Sequence, residues 1–202
     1  PSSLISFLKD EFNFLNTEYI VKKKMGKNTW GTEHYFKCVE ETDTDVIIPR
    51  GAIGKLLRFC RENKVHISTS LDGPSDLHNK NRPRKGHDSY ERAINGIQLA
   101  RDILGKDQVS ALMTTTEASL NRVKEIIDEY VNKEFNGIFL RHLSPYGFAI
   151  KTKSYASYST DRWLQFYKEG LEYIIQLNKD GVDFQEFYAS TILKKILTSE
   201  ES

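Results

Sequence analysis

The chain's 202 residues are enough for one domain with a real core, or one and a half small ones. Its 29 Lys and Arg against 28 Asp and Glu leave a formal charge of +1, which excludes a bulk electrostatic case for nucleic acid or a membrane surface. No apolar run approaches the ~20 residues that cross a bilayer, the two cysteines, Cys38 and Cys60, make no disulfide framework, and 11% aromatics argue against disorder.

The start, Pro1-Ser2-Ser3-Leu4, has no basic segment ahead of an apolar one, so no secretion signal is expected and a cytoplasmic protein is. Pro1 in place of an initiator Met, and the polar, abrupt end Thr198–Ser202, read as a fragment. Residues Ser3–Leu15 are expected to be helical, with Ser3 as N-cap and Leu4, Phe7, Leu8 and Phe12 at helical spacing. Met25–Pro49 follows no clean period and reads as loop with short strands such as Val46-Ile47-Ile48. A second helix is expected over Ala52–Asn63, where Ile53, Leu56, Leu57 and Cys60 form one apolar stripe. Cys60 therefore reads as a core thiol, and Cys38 is assigned nothing.

Val65–Leu71 is apolar and β-branched, a short strand, and it stops at the turn signal Asp72-Gly73-Pro74. A polar loop carrying His78, Arg82 and Arg84 follows, then a helix over Ser89–Leu104, capped by Asp88 or Ser89. Tyr90, Ala93, Ile94, Ile97 and Ile103 mark its buried face. Gln108–Thr115 is the next strand and ends in Thr114–Thr116; Ser119 caps a helix over Leu120–Lys133 with Leu120, Val123, Ile126, Ile127 and Tyr130 inward. Gly137–Leu143 is a third strand, leading to the loop Ser144-Pro145-Tyr146-Gly147. Helices are expected over Asp161–Asn178 and Phe184–Leu197, either side of Asp180-Gly181. Apolar strands alternating with amphipathic helices imply an α/β fold with parallel pairing and right-handed crossovers.

All three strands end in groups able to hydrogen-bond a small polar ligand: Ser68 to Ser70, Thr114 to Thr116, and Arg141, His142 and Ser144. In a parallel barrel such ends converge on one mouth, so these sets would share a pocket. An arginine such as Arg82, just past a strand end, suits a carboxylate or phosphate. Its neighbours Lys80, Arg84 and Lys85 read as an ordinary solvated run. His78 is either an acid–base group or a structural one.

Ile67–Arg82, ISTSLDGPSDLHNKNR, together with Ser89–Ile97, resembles the middle of a radical S-adenosylmethionine (SAM) enzyme of the peptide- and protein-maturing group. The anaerobic sulfatase-maturating enzymes share the S-x-D-G-P and H-N-x-N-R elements. The longer series, with Ser110–Thr116, Ile126–Tyr130 and Phe139–Gly147, is similar to the maturase of the His-Xaa-Ser peptide system. The resemblance covers Gly54–Ala149 well and the tail loosely. It implies a partial (β/α) radical-SAM-type barrel of which this chain holds the second half, with Val65–Leu71, Gln108–Thr115 and Gly137–Leu143 as strands four to six. The implied organisation is an N-terminal segment of uncertain fold (1–50), the half barrel (51–150) and a helical C-terminal extension (151–202).

The resemblance also implies a cofactor site. Ser70 and Arg82 have the spacing of the pair that holds the SAM carboxylate in the sulfatase-maturating relatives. Thr115 stands at the end of the fifth strand, and Leu143 falls where a residue packs on the adenine. The family role is reductive cleavage of SAM to a 5′-deoxyadenosyl radical beside a [4Fe–4S] cluster, and modification of a ribosomally made precursor peptide, here of the His-Xaa-Ser type, with a partner maturase as a further expected associate. The chain departs from that pattern: it has no C-x-x-x-C-x-x-C loop, the three-thiolate arrangement a cubane needs, its two cysteines are far apart, and neither a Gly-Gly-Glu-Pro-like second-strand signature nor the Cys-rich C-terminal segment of the group is read in it. The sequence therefore reads as an incomplete or inactive copy of such a maturase. The alternative is a non-catalytic SAM- or peptide-binding module that pairs with a partner.

Overall fold

In the computed structural model the described residues are 50–143 and 159–198. The expected helix Ser3–Leu15, the strand at Val46–Ile48, Cys38 and the loop Ser144–Gly147 lie outside them. The chain divides into two units, Pro1–Phe59 and Cys60–Ser202. Of the first unit, the described part is the opening of helix α1 (Arg50–Glu62), on which Leu57 and Phe59 are buried.

In the second unit, Cys60 is buried on the last turns of that helix, as its place in the apolar stripe requires. The helix closes with Lys64 in the left-handed region (φ 53°), where the Lys64 amide donates to the Arg61 carbonyl and the Val65 amide to the Cys60 carbonyl. Strand β1 (Ile67–Ser70) pairs in parallel with β2 (Val109–Leu112), Ile67 opposite Val109 and Ser70 opposite Leu112. Parallel neighbours need a crossover. It is supplied by α2 (Ser75–Asn81) and α3 (Ser89–Leu104).

Helix α2 replaces the polar loop expected there. Pro74 at its N-cap fixes φ at −55° and leaves no amide to satisfy, and Asp76 sits in the first turn. Gly73 makes the turn before it, at φ 126°, and a Cβ there would lie 2.9 Å from Cγ1 of Ile126. Helix α2 buries Leu77 and His78.

The α3 expectation holds over its whole length, with Ile97 and Ala100 buried. Helix α4 (Val123–Asn132) starts three residues later than expected. Ser119 is drawn into a reciprocal cap with Thr116 around the short 3-10 turn Glu117–Ser119. The buried face of α4 is Val123, Ile126, Ile127 and Tyr130, as its spacing predicts.

The third strand differs more. Pairing in β3 covers only Gly137–Ile138, and its partner is β4 (Gln185–Glu186), also parallel, rather than β2. Thus the C-terminal region, expected to be helical from Phe184, first contributes a strand, and α6 runs Phe187–Leu197. Glycine at 137 permits this approach, since a Cβ would stand 2.6 Å from the Gln185 carbonyl oxygen. Helix α5 (Thr160–Lys179) lies against α4 through Gly170, where a Cβ would meet Leu140 Cδ1 at 2.6 Å and Val123 Cγ2 at 2.8 Å. Ile126, Ile127, Tyr130, Ile138 and Phe166 are fully buried in this region. No helix among the described residues is long and apolar enough to cross a membrane.

Candidate functional site

Beyond Ser70 the β1 chain goes inward: Leu71 and Asp72 are 0% and 1% exposed. The Leu71 amide still donates to the Leu112 carbonyl (3.0 Å), and its own carbonyl accepts from the Tyr130 hydroxyl at 2.6 Å. That tyrosine is fully buried; burial, then the nearby Asp72 carboxylate, pushes its pKa well above the ordinary phenol value. These bonds fix the backbone from which Asp72 projects.

A carboxylate this deep needs partners, and Asp72 has them. Arg82 donates from Nε to Oδ2 at 2.8 Å and from Nη2 to Oδ1 at 3.1 Å, a bidentate fork. The Thr114 amide, just past β2, donates to Oδ1 at 2.9 Å. Asp72 thus ties the ends of both strands to α2. Its own amide donates to Nδ1 of His78 at 3.1 Å, which makes Nδ1 the acceptor and fixes the neutral ring with its proton on Nε2. Burial is the main reason the His78 pKa lies below the ordinary imidazole value, opposed by the Asp72 carboxylate and reinforced by Arg82.

Around this node lies a cleft of about 340 Å³ lined by Thr69, Ser70, His78 and Arg82, and also by Arg84 and Arg92. The volume falls at the small end of ligand pockets. Ser70 and Arg82, paired by spacing in the sequence, therefore share one cleft. Arg82 is not wholly available there. Asp72 takes its Nε edge, while among the described residues nothing hydrogen-bonds Nη1. A guanidinium has five N–H groups, so the Nη1–Nη2 edge can still grip a carboxylate. The donor set thus fits the amino-acid end of a SAM molecule.

The other two expected ligands are not brought in. Thr115 continues the alternation of Val109, Ala111 and Met113 and is fully buried with them; its Oγ1 has no hydrogen-bond partner among the described residues. A two-residue period puts it on the face opposite Thr114. Leu143 is half-buried, five residues past the last paired residue of β3, beside His142, whose Nδ1 lies 2.8 Å from the Leu143 carbonyl and whose ring packs edge-on to Trp163 at 5.0 Å. Neither lines the cleft. A [4Fe–4S] cluster does not fit the residues in view: no group of three or more His, Cys, Asp or Glu is placed to hold a metal among the described residues. Cys60 is buried, and burial pushes its thiol pKa up, away from the thiolate a cluster binds.

Sequence reasoning passed over Asp72, Asn79 and Arg92. Asp72 was readable only as a turn residue. Asn79 lies inside the H-N-x-N-R element; its Oδ1 accepts from Ser89 Oγ (2.6 Å) and from the Tyr90 amide (2.8 Å), so it ties α2 to the start of α3. Arg92 gives no local signal, being one exposed position on an amphipathic helix.

No family model matches the chain. Among curated proteins it is similar to the cysteine-type anaerobic sulfatase-maturating enzymes of two Clostridium perfringens strains, at 24% identity over 123 residues for each, covering 56% of this chain and 33% of the relative. The chain spans about a third of the length of these relatives. Among solved structures it is similar to native anSMEcpe with bound AdoMet (TM-score 0.52, 21% identity, 73% of this chain and 40% of that one) and to the polyhistidine-tagged form with bound AdoMet (TM-score 0.50, 20% identity, 73% and 40%). A further structure, of native anSMEcpe with AdoMet and a bound peptide, matches with a TM-score of 0.49. The similarity in sequence is to the group of radical SAM maturases that the chain's own motifs resemble.

Proposed function

We propose that this chain forms the SAM-carboxylate-gripping part of a radical SAM peptide or protein maturase, as the second half of a partial (β/α) barrel acting in the cytoplasm. The observation that carries the reading is the meeting of Ser70 and Arg82 on one cleft at the C-terminal edge of the β1–β2 pair. Ser70 Oγ and the Nη1–Nη2 edge of Arg82 would hold the SAM carboxylate, while Asp72 braces the guanidinium at its Nε edge. His78 stays neutral beside them. In such an enzyme the cofactor supplies the hard chemistry and the protein positions it; the target is a ribosomally made peptide, of the His-Xaa-Ser type by motif resemblance.

Calorimetric titration of SAM into the full chain tests this. Saturable binding is expected, weakened roughly tenfold in Arg82→Lys, which keeps the charge beside Asp72 but lacks the planar fork, and less in Ser70→Ala. Absence of binding, or binding indifferent to Arg82→Lys, overturns the reading.

The two-cysteine content and the burial of Cys60 favour a second reading, a non-catalytic SAM- or peptide-binding module that pairs with a partner maturase. Both readings expect no 5′-deoxyadenosine from this chain alone after anaerobic reconstitution with iron and sulfide. They part on addition of a cluster-bearing partner, which restores product only if this chain contributes the SAM grip. Robust turnover by the chain alone defeats the claim of incompleteness.

A further inference from the structure

We propose that the outer edge of β1 is a docking site for the C-terminal end of an extended polypeptide, which adds as a short parallel strand and places its terminal carboxylate on the open edge of Arg82. This site is separate from the SAM reading and stands whether or not SAM binds.

Among the described residues β1 has a strand on one side only, β2. The Leu71 amide donates to the Leu112 carbonyl, so the residues of the same parity, Ile67 and Thr69, turn their backbone groups toward β2. Ser68 and Ser70 turn theirs the other way, and among the described residues no backbone hydrogen bond meets them. Ser68 is exposed and Ser70 half-buried, and the strand carries neither proline nor charge. An edge of this kind is a template for another chain.

One step further along, the edge is closed. Asp72 has the parity of Ser68 and Ser70, and its amide already donates to Nδ1 of His78 at 3.1 Å. The buried ring stands where the next carbonyl of an added strand would have to be. A chain that pairs with Ser68 and Ser70 therefore ends there instead of running on. In parallel register its last residue donates to the Ser70 carbonyl, and the third from the end bridges the Ser68 carbonyl and the Ser70 amide. The terminal carboxylate then reaches the cleft that Thr69, Ser70, His78 and Arg82 line. Arg82 supplies the counter-charge. Its side chain is 37% exposed, Asp72 holds it through Nε and Nη2, and nothing hydrogen-bonds Nη1 among the described residues. An internal strand obtains the pairing without the grip, so the edge favours a chain terminus.

Calorimetric titration of the peptide Ac-Thr-Val-Thr-Val-Thr, with a free C-terminal carboxylate, into the full chain tests the site. One-to-one binding is expected. The C-terminal amide of the same peptide binds roughly tenfold more weakly, having lost a charge-assisted pair. N-methylation of the last and third-from-last residues, whose amides face β1, costs roughly the same factor. N-methylation of the second- and fourth-from-last residues, whose amides face away, leaves the affinity within about twofold. Arg82→Lys weakens the free acid and leaves the amide form unchanged. The proposal fails if the free acid does not bind, if the amide form binds equally, which would make the edge a site for internal strands, or if the two methylation patterns act alike. It also fails if SAM and the peptide bind together without mutual effect, since both carboxylates need the same guanidinium edge. Peptide binding with these preferences and no SAM binding upholds this site and defeats the SAM reading; SAM binding without peptide binding does the reverse.

Discussion

Asp72 and Glu186 are buried almost equally, at 1% and 3% exposure, and they are held in opposite ways. Asp72 faces a counter-charge on a side chain that is itself 37% exposed. Among the described residues Glu186 accepts only from neutral groups: Oε1 from the Leu140 amide at 3.1 Å, Oε2 from the Ala189 amide at 2.6 Å and the Tyr167 hydroxyl at 2.8 Å. Two of those donors are backbone and cannot withdraw. Burial, then the bond to Glu186, pushes the Tyr167 pKa above the ordinary phenol value, so the proton stays on Tyr167 as donor. Glu186 is a rivet joining β4, α5, α6 and the chain after β3. Asp72 is a hinge-pin whose main partner can turn toward solvent or a ligand. Equal burial therefore does not mean equal function; what separates the two is whether the partner is free to leave.

Matched amide substitutions give the largest effect that bears on this contrast. In Glu186→Gln one oxygen becomes an NH2 that meets a fixed donor, so a buried N–H or O–H loses its acceptor, at a cost of about 2–3 kcal/mol. In Asp72→Asn the amide oxygen keeps the Thr114 amide and one arm of Arg82, and the guanidinium swings its other arm into water; about 1 kcal/mol is expected. Urea unfolding of the two variants measures both. Equal costs would remove the distinction between rivet and hinge-pin.

Much of the framework on which these carboxylates sit was legible beforehand. The stripes of α3 and α4 and the β1–β2 pair follow from periodicity, because an amphipathic helix or a half-buried strand repeats its signal over several turns or pairs. The connections among them were not legible. Helix α2 presents only Leu77 and His78 to the interior, too few for a period, so its chemistry read as loop. The return of Arg82 onto Asp72 depends on that helix. Strand β4 is two residues long and is followed at once by a helix, so the whole of Phe184–Leu197 carried one helical pattern. Thr115 was placed at the rim by its residue type, whereas its parity with Met113 set it inside. Ser70 and Arg82 came together because their spacing was read through family resemblance rather than through any local rule.

The next effect is on pH dependence and belongs to the Asp72 side alone. The folded-state pKa of His78 is depressed, chiefly by burial. Its neutral form therefore supports the fold fully above the unfolded imidazole value near 6.5. As pH falls below that value the unfolded chain takes up a proton that the folded one resists. Stability then declines until the folded pKa is passed, by about 1.4 kcal/mol per pH unit at the steepest. Protonation also removes the acceptor of the Asp72 amide. His78→Gln should flatten this decline relative to wild type in unfolding curves between pH 7 and 5. Asp72→Asn should leave its onset in place and carry it further down in pH, because loss of the carboxylate that favours the charged ring lowers the folded pKa and not the unfolded one. A Glu186→Gln variant should keep the wild-type decline, since no histidine bonds to that carboxylate among the described residues.

Salt gives the smallest effect. The Arg82–Asp72 pair is an ion pair with one exposed member, and its attraction is partly screened as the Debye length shrinks from about 10 Å at 0.1 M salt to about 3 Å at 1 M. The stability lost in Arg82→Gln should therefore shrink by a few tenths of a kcal/mol between these salt concentrations, a change of the size expected for an exposed pair. Glu186 has no cation in its shell among the described residues, so the loss in Glu186→Gln should be the same at both. Taking each variant against wild type at the same salt cancels the general salting effect on burial, so the difference of differences isolates the counter-charge. A salt-independent loss in Arg82→Gln would mean that Arg82 acts on the fold through packing and hydrogen-bond geometry alone. Its open edge would then be a poor electrostatic lure for a carboxylate, and the hinge-pin would differ from the rivet only in name.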